Sequence, residues 1–537
     1  MQRSRRLIFI VTMTLVLALL ASCVPTTPGA GDGQPAPGGV TEPGQTAAPA
    51  GATEVIIATP SEPVNFFMQS VDINTQMNRD GPVIYNVMAH LAWMDENGQV
   101  VPWVATGWEV SEDGTEYIFH LRDDVFFHNG DKMTADDVAF SFNLTLSNNQ
   151  PLATNLLINL REAVAIDDYT VKFYLVAPFE GFPAVTTSRA GAIINRRHYE
   201  EVGAEAYNAH PIGTGPFMFE SRVSGQEIVL RAFDDYFGGR PAIDVIRIRP
   251  VANVNTAFIS LRAGDVDVVH LADVASAKSL TDNDPATYLT VPSSARTLTR
   301  LNTRPHLDSI LRDDLNLRRA IQYAINKNDI VLGAAGGAAT PLDFGAPYWF
   351  VGVPGPGSFY APPWEGDLDI ARDYLEQSNY DGQALRFIVN AGTPQELAAQ
   401  IIQGQLWQIG VNVDIVPLDS GALNAAEIAG DFDLHIFSTV GSLGDVSTMN
   451  TFYAVQEHLG PLFDKWEEAQ ELCFAANIAS GQARMDIIAE LAQLVNENAY
   501  TIPVMNTDAV IAYSRNLNGV SLNPNGTWRV HDWSWAS

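Results

Sequence analysis

Catalysis would require a nucleophile beside a base, a cluster of metal ligands or a phosphate-binding loop, and the sequence carries a recognisable motif for none of these. It lacks the Gly-x-Ser-x-Gly nucleophile turn, the glycine-rich phosphate loop and the His-Glu-x-x-His zinc motif. The two closest histidines, His120 and His128, bracket a predicted strand and turn, not one face of a helix. Acidic pairs have almost no specificity in a chain with 62 Asp and Glu. We therefore predict no catalytic residue, no metal site and no cofactor, and we favour binding over catalysis.

Composition limits the partners of this chain. Of its 537 residues, 46% are apolar and 17% are charged, which suffices for a large core in about two to four structural units. The chain carries 31 Lys and Arg against 62 Asp and Glu, a net charge of −31. Because such a surface repels phosphate groups, we expect neither nucleic acid nor an anionic lipid surface as a partner.

The cysteines are too few for a disulfide framework or a cysteine-rich zinc site, since only Cys23 and Cys473 occur. Cys473 lies within a predicted helix, and we expect it to be a small buried hydrophobic residue.

The N-terminus predicts export and lipid anchoring. Three arginines precede the apolar run Leu7–Leu20, which is shorter than a membrane span of about 20 residues and typical of a signal peptide. The run ends in Leu20-Ala21-Ser22-Cys23, which resembles a bacterial lipobox. Residues 1–22 are therefore predicted to be removed and Cys23 to be lipidated. An ordinary secretory signal with an incidental cysteine is the alternative, and the paired arginines would also fit a twin-arginine signal.

Residues 23–53 form a predicted flexible tether. Gly, Pro, Ala and Thr make up 24 of the 30 residues after Cys23, and no Lys or Arg occurs there. Such a segment buries too little apolar surface to offset its backbone entropy. Behind a lipid anchor it would hold a folded domain off the membrane while letting it reorient. We therefore expect an extracytoplasmic protein, in the periplasm or on the outer face of the cell membrane, attached by lipid alone.

Residue periodicity in the remainder predicts an α/β chain with more than one sheet. Strands are predicted at 54–58, 117–121, 164–176 as a hairpin, 228–232, 245–251, 264–269, 411–416, 432–437 and 501–505. Helices are predicted to begin at Thr134 and to span 255–262, 318–330, 368–377, 396–408 and 484–497. Tight turns are predicted at Asp113-Gly114 and at 127–130.

A family resemblance rests on residues 104–142, VATGWEVSEDGTEYIFHLRDDVFFHNGDKMTADDVAFSF. This stretch resembles the signature of bacterial extracellular solute-binding proteins of family 5, the oligopeptide-, dipeptide- and nickel-type binding components of ABC importers. Further similar segments follow in the same order: Pro211–Phe217, Arg318–Lys327, Asp369–Leu375 with Asn379–Gly382, Gln405–Gly410 and Gly430–Asp433. The resemblance as a whole extends over essentially residues 54–537.

The signature residues themselves are predicted to be scaffold and not ligand contacts. Trp108, Tyr117 and Phe119 have the character of core residues. Gly213 and Gly215 are expected to permit a backbone turn. The tryptophans near the C-terminus, Trp528, Trp533 and Trp535, are expected to pack in the core or against the chain end.

The resemblance implies a two-lobed fold of the periplasmic-binding-protein type II, with an extra subdomain and a hinge of two strand crossings. Lobe one is expected at 54–301 with its subdomain at about 93–205, lobe two at 302–505, and a return to lobe one at 506–537. Hinge closure would enclose a solute between the lobes. The closed protein, which we expect to be a monomer, would then deliver the solute to an ABC permease.

The resemblance also implies where the ligand is bound. In the family, one contact loop follows the strand that here ends at Phe437, and peptide-binding members often carry a Gly-Trp pair and then an aspartate that holds the peptide α-amine. This sequence reads STVGSLGD over 438–445, without the Trp and with Asp445 as the only acid. The predicted ligand contacts are Ser438, Thr439, Gly441, Ser442 and Asp445 in this loop, Asn65 and Phe66 after the first strand, Trp349 in an aromatic cluster, and Asn506 at the second crossing.

A short peptide is the predicted solute, and three alternatives stay open. The hydroxyl groups of the 438–445 loop and the ring of Trp349 would also suit an oligosaccharide. An extracellular hydrolase on a similar scaffold would need a nucleophile–base pair or a metal cluster, and the sequence presents neither. A sensor that presents its ligand to a membrane receptor would have the same sequence features as an import component.

Overall fold

The computed structural model describes residues 53–66, 76–147, 157, 159–270, 274–291, 297–302, 309–346, 353–355, 357–440 and 466–536. The predicted signal peptide, Cys23 and nearly all of the predicted tether lie outside these ranges. Within them, no helix combines the length and the apolar character needed to cross a membrane.

The strands of the described ranges are, in chain order, β1 (Glu54–Thr59), β2 (Ala92–Met94), β3 (Val100–Pro102), β4 (Ala105–Val110), β5 (Glu116–Leu121), β6 (Leu160–Asp167), β7 (Thr170–Leu175), β8 (Phe217–Val223), β9 (Glu227–Ala232), β10 (Val245–Pro250), β11 (Val268–His270), β12 (Ala286–Val291), β13 (Thr297–Asn302), β14 (Ala339–Pro341), β15 (Leu385–Asn390), β16 (Val413–Leu418), β17 (Leu434–Val440), β18 (Thr501–Thr507), β19 (Ala509–Ser514), β20 (Leu517–Asn518) and β21 (Ser534–Trp535).

The α-helices of the same ranges are α1 (Gln76–Val87), α2 (Ala135–Ser147), α3 (Phe182–Val185), α4 (Arg196–Ala209), α5 (Val254–Ala263), α6 (Val274–Lys278), α7 (Ile310–Asp313), α8 (Leu315–Ala324), α9 (Lys327–Ala335), α10 (Leu368–Glu376), α11 (Pro394–Trp407), α12 (Ser420–Ala429), α13 (Trp466–Ile478) and α14 (Gly481–Glu497). Two short 3-10 helices span Arg189–Gly191 and Val530–Asp532.

The first large sheet has seven strands in the order β12-β19-β11-β1-β10-β9-β8. Strand β1 pairs in parallel with β10 and β11, and the outer strands pair antiparallel. In β1, Val55 and Ile57 are fully buried in the core of this sheet. Trp528 and Trp533 join the same core, and the indole of Trp535 donates to the carbonyl of Glu54 at 2.9 Å. The predicted packing role of these tryptophans is thereby confirmed.

A smaller sheet of four antiparallel strands, β4-β5-β7-β6, contains the first part of the family signature, in β4 and β5. Alternate residues of β5 point inward, so Tyr117 and Phe119 are buried while His120 is exposed. Phe173 of β7 lies edge-on to Phe119 at 5.4 Å and to Phe142 of α2 at 4.8 Å. Trp108 stacks on Phe119 at 5.4 Å. Tyr117 and Phe119 are therefore core, as predicted, whereas Trp108 is half-buried and packs against that core.

The second large sheet has six strands in the order β14-β18-β13-β17-β15-β16. Strand β15 pairs in parallel with both β16 and β17. Helices α8, α9 and α11 pack against it, and its core includes the fully buried Ile321, Phe387 and Ile402. A separate core lies between α13 and α14, where Cys473 is fully buried as predicted.

The chain passes between the two large sheets twice. It leaves the first sheet after β12 and enters the second with β13, and it returns at Asp508, between β18 and β19. All six residues of β13 pair with strands of the second sheet. The predicted lobe boundary at 301 thus falls near the end of β13, and β18 continues two residues beyond the boundary at 505.

One helix prediction is wrong in its extent. Residues 318–330 were expected to form one helix, but α8 ends at Ala324 and α9 begins at Lys327. Ile325 is extended, and the side chain of Asn326 accepts a hydrogen bond from the backbone N–H of Asp329. Asn326 is therefore an N-cap, a role in which asparagine competes with helix continuation. Strand β16 also lies two residues later than predicted, at Val413–Leu418.

Candidate functional site

The topology brings the carboxyl ends of parallel strands together in each large sheet. In the first sheet these strands are β1, β10 and β11, and in the second they are β15, β16 and β17. Ligands of open α/β sheets bind beyond the carboxyl ends of such strands. The loop after β1 contains Asn65 and Phe66, and the chain after β17 continues into 441–445. Two of the predicted contact segments thus lie just beyond the carboxyl ends of parallel strands, which is where ligands bind in other open α/β sheets.

The loop after β1 is held by side chains from two helices. Asp80 of α1 accepts hydrogen bonds from the backbone N–H groups of Val64 at 2.9 Å and Asn65 at 3.4 Å. Asn208 of α4 accepts from the N–H of Phe66 at 2.9 Å and donates to the carbonyl of Val64 at 3.0 Å. The backbone of this loop is therefore positioned before any solute arrives.

The two predicted contact residues of this loop differ in exposure. The side chain of Phe66 is fully buried in the core of the first sheet, with its ring 5.5 Å from that of Phe219. Asn65 is half-buried. In this structure the loop backbone and the Asn65 amide are therefore more accessible to a solute than the Phe66 ring is. The ligand-binding role of both residues stays a prediction.

The predicted contacts of the second sheet are only partly described. Ser438 and Thr439 lie in β17, where their backbones pair with Thr299 and Leu298 of β13. Gly441, Ser442, Asp445 and Trp349 lie outside the described residues.

Asn506 is fully buried within β18, opposite Thr340 of β14 and Leu298 of β13. It therefore lies inside the second sheet, two residues before the crossing at Asp508.

His128 of the family signature holds the turn that contains the two signature glycines. The backbone N–H of Gly213 donates to Nδ1 of His128 at 3.2 Å, and Nε2 lies 3.0 Å from the carbonyl oxygen of Gly215. Because Nδ1 accepts, the proton of the neutral ring is on Nε2, which donates to Gly215. Burial lowers the pKa of His128 to about 4, so the ring is neutral at pH 7. The histidine is therefore a structural residue.

The two glycines also allow a close approach to the end of α1. A Cβ atom on Gly213 would lie 1.9 Å from the carbonyl oxygen of Val87, and one on Gly215 would lie 2.6 Å from that of Asn86. The backbone N–H of Gly215 donates to Val87 at 2.9 Å. The sequence predicted a turn here, but the requirement for glycine comes from contact with residues more than 120 positions earlier.

A cavity of about 350 Å³ lies beside β8, the edge strand of the first sheet. Its two charged side chains, Glu220 and Arg231, pair with each other at 2.9 Å. Strand β8 is three strands away from β1 in the sheet order. This cavity is therefore not at the carboxyl ends of the central strands. Its lining residues are His128, Asn129, His210, Pro211, Ile212, Met218, Phe219, Glu220 and Arg231.

Neither a metal cluster nor a reactive thiol is found in the part of the chain that the structure describes. No group of three or more His, Cys, Asp and Glu side chains in these ranges could hold a metal ion. Burial raises the pKa of Cys473 to about 12, which keeps its thiol protonated.

The segment Arg318–Lys327 has a role that sequence reasoning missed. Three side chains of α8 donate to the carbonyls at the C-terminal end of α14: Arg318 to Asn498 at 2.9 Å, Arg319 to Glu497 at 2.9 Å and Gln322 to Asn496 at 3.1 Å. Cations are favourable at the negative end of a helix dipole. The paired arginines were the available signal, but their partners lie more than 170 residues later.

Comparison with known proteins agrees with this architecture. The model of the bacterial extracellular solute-binding proteins, family 5 (middle region), matches residues 99–458. The glutathione-binding protein GsiB of Salmonella paratyphi A is 28% identical over 468 residues, which cover 82% of this chain and 87% of that protein.

Two solved structures have the same fold. The ABC transporter substrate-binding protein CtaP of Listeria monocytogenes superimposes with a TM-score of 0.79 at 22% identity, covering 90% of this chain and all of that one. The oligopeptide-binding protein AppA of Bacillus subtilis, in complex with a nonapeptide, superimposes with a TM-score of 0.70 at 21% identity, covering 90% of this chain and 99% of that one. The predicted fold class is therefore confirmed. The family model matches about two thirds of the length of this chain, and the chain therefore belongs to the bacterial extracellular solute-binding proteins of family 5.

Proposed function

We propose that the solute of this extracellular solute-binding protein is a short peptide, which the protein delivers to an ABC permease. The observation that carries the proposal is the family match over residues 99–458. Its curated relatives named GsiB are glutathione-binding proteins, and glutathione is a small peptide, so it is the first solute to test. No bond is made or broken in this role.

The proposed binding movement is closure of two lobes. Lobe one comprises 54–301 with a subdomain at about 93–205, lobe two comprises 302–505, and 506–537 return to lobe one. The two large sheets, between which the described strands show two chain crossings, support such a division. Hinge motions need only a few connecting residues to absorb the rotation. Closure would bring the loop after β1 toward the 438–445 loop.

The proposed attachment to the membrane is a lipid on Cys23, with the protein otherwise monomeric and extracytoplasmic. The sequence Leu20-Ala21-Ser22-Cys23 supports it. Replacing Cys23 with Ala should release the protein from the membrane fraction and leave solute binding intact, because the lipid chains alone would hold it there. A Cys23→Ala protein that stays in a salt-washed membrane pellet would contradict the lipid anchor.

A side-by-side screen of solutes tests the proposed ligand class. Glutathione, di- to pentapeptides and oligosaccharides are added to the Cys23→Ala protein, and the melting temperature is recorded, because a ligand that binds only the folded form raises it. Mass spectrometry of solute released on denaturation identifies any copurified ligand. We expect a shift with peptides. A shift with oligosaccharides alone, or turnover of any added solute, would overturn the proposal.

Asp445 tests how a peptide is held. If it binds the peptide α-amine, Asp445→Asn should weaken binding by about 30-fold or more, because a buried amine would lose its charged partner. N-acetylated peptides should bind weakly to both proteins. Asp373→Asn is the matched control, since Asp373 is exposed on α10 and its backbone carbonyl, not its carboxylate, accepts the hydrogen bond from Gln377. Undiminished dependence on the free amine in Asp445→Asn would assign the amine site to another residue.

A further inference from the structure

The N-terminus of helix α14 is capped by a residue from a distant part of the chain. The N-cap residue Ser480 makes no side-chain hydrogen bond to the helix. Instead, Oε2 of Glu180 lies 3.5 Å from the backbone nitrogen of Gly481, at a sequence separation of 301 residues. The same oxygen lies 3.9 Å from Nη1 of Arg484. The first N–H groups of a helix need acceptors from outside the helix, and a carboxylate suits them well.

Glu180 and α14 belong to different cores. Glu180 follows β7, and its neighbour Phe179 is buried in the core of the four-stranded sheet, where the Tyr117 hydroxyl donates to the Phe179 carbonyl at 3.0 Å. Helix α14 packs in the core that contains Phe344 and Cys473, and it leads directly into β18 of the second large sheet. The contact therefore joins the proposed subdomain of lobe one to lobe two.

A second contact of the same kind, with opposite charge, joins the first large sheet of lobe one to lobe two. Lys278 lies at the end of α6, which packs against β12 and β19 of the first large sheet. Its ammonium group donates to the carbonyl of Gly336. Gly336 is the left-handed C-cap of α9, whose partner strand β14 belongs to the second sheet. A cation thus sits at the negative end of α9, as an anion sits at the positive end of α14.

We propose that Glu180 and Lys278 form an electrostatic latch between the lobes, which favours the closed arrangement before any solute binds. Each contact pairs a side chain of lobe one with a helix end of lobe two, so a rotation of the lobes that moves the helix end away from its side chain breaks it. Because the Glu180 side chain is 49% exposed and Lys278 is also exposed, each contact is individually weak. The apparent affinity for the solute scales with the population of the binding-competent form, so a latch that favours closure raises it. Because the latch is weak, the lobes can still open to release the solute.

The test measures the ligand-free protein by small-angle X-ray scattering. The Cys23→Ala protein is compared with versions that add Glu180→Gln, Lys278→Gln or both, at low ionic strength. Each substitution should lower the closed-to-open ratio about two- to fivefold, which appears as a larger radius of gyration, and the double variant should expand most. Raising the salt to about 0.5 M should move the parent toward the variants, since exposed charges are screened.

The matched control is Glu112→Gln, which removes one negative charge from the same subdomain at an exposed position. It should leave the radius of gyration unchanged. The latch is wrong if all three test variants keep the parent's radius at low salt, or if Glu112→Gln expands the protein as much as Glu180→Gln. The latch rests on the proposed two-lobe function, but its test uses no solute. A failure to bind peptides and a failure of the latch can therefore be told apart.

Discussion

The imidazole of His128 donates from Nε2 to the carbonyl oxygen of Gly215 across 3.0 Å, and so joins two segments that are 87 residues apart. One segment is the Phe127–Gly130 turn and the other is the glycine turn at Gly213–Gly215. Both segments resemble motifs of the family, and neither lies at the carboxyl end of a central parallel strand. These two family motifs therefore belong to the scaffold, and the proposed solute-binding site lies elsewhere in the protein.

Replacement of His128 with Ala should destabilise the fold without changing solute affinity in the folded fraction. The substitution leaves the Gly213 N–H and the Gly215 carbonyl without their partner, at a cost of about 2–4 kcal/mol in the free energy of unfolding. Urea denaturation measures this cost. His120→Ala is the control, because the His120 side chain is 47% exposed and should change stability by less than about 0.5 kcal/mol. Equal losses in the two variants would contradict the structural role of His128.

Mild acid should destabilise the protein through its buried histidines. Burial lowers the pKa of His128 to about 4 and that of His90 to about 3, from 6.5. The unfolded chain therefore takes up protons below pH 6.5 that the folded chain refuses. The stability that each neutral ring contributes is complete above pH 6.5 and is lost as the pH falls toward these values. Roughly 2 kcal/mol per histidine should be lost between pH 7 and pH 5, measured by urea midpoints.

Asp267 should offset part of that loss. Burial raises its pKa to about 6 from 3.8, so its contribution to stability is present at low pH and is lost as the pH rises through 6. Between pH 7 and pH 5 its protonation should favour the folded state by about 1 kcal/mol. Asp267→Asn removes this titration, and the loss of stability on acidification should become steeper. A shallower pH dependence in the variant would show that the sign assigned to Asp267 is wrong.

Gly213→Ala should prevent normal folding. The new methyl group would lie 1.9 Å from the carbonyl oxygen of Val87, and backbone atoms cannot move aside as a flexible side chain does. We expect a loss of about 3 kcal/mol or more, or failure to accumulate folded protein. Gly107→Ala is the control, since nothing lies within 4 Å of a Cβ atom at that position. Circular dichroism and the melting temperature of both variants provide the comparison.

Arg318 and Arg319 of α8, which both donate to the C-terminal end of α14, should contribute differently to the free energy of unfolding. Arg318 is 5% exposed and donates from Nη1 to Leu311 and Arg312, at 2.6 and 2.8 Å, besides its bond to Asn498. Arg318→Ala should therefore cost about 3 kcal/mol or more in the free energy of unfolding. Arg319→Ala should cost about 1 kcal/mol, because within the described part of the chain its side chain makes a single hydrogen bond, to the carbonyl of Glu497. The reverse order in urea denaturation would refute this assignment.

Local features of the chain were predictable because their causes are local. The Asp113-Gly114 and Phe127–Gly130 turns form as expected, with Gly114 and Gly130 at positive φ. The alternation of apolar and polar residues along β5 correctly predicted that Tyr117 and Phe119 are buried in the core. The break between α8 and α9 was missed, although the Asn326 cap is also a local signal. The helical periodicity on both sides of Asn326 outweighed it in the prediction.

By itself, the sequence determined the mixed α/β character, because turn residues, caps and alternating strands act over a few positions. It determined the family and the two-lobed fold class through the resemblance of residues 104–142 and the later segments to family motifs. Only the tertiary structure decided which of these residues meet. It placed the Phe66 ring in the core, Asn506 within β18, and Glu180 at the first turn of α14. Such contacts join residues up to hundreds of positions apart. They depend on strand order and on the two crossings between sheets, which no local pattern encodes.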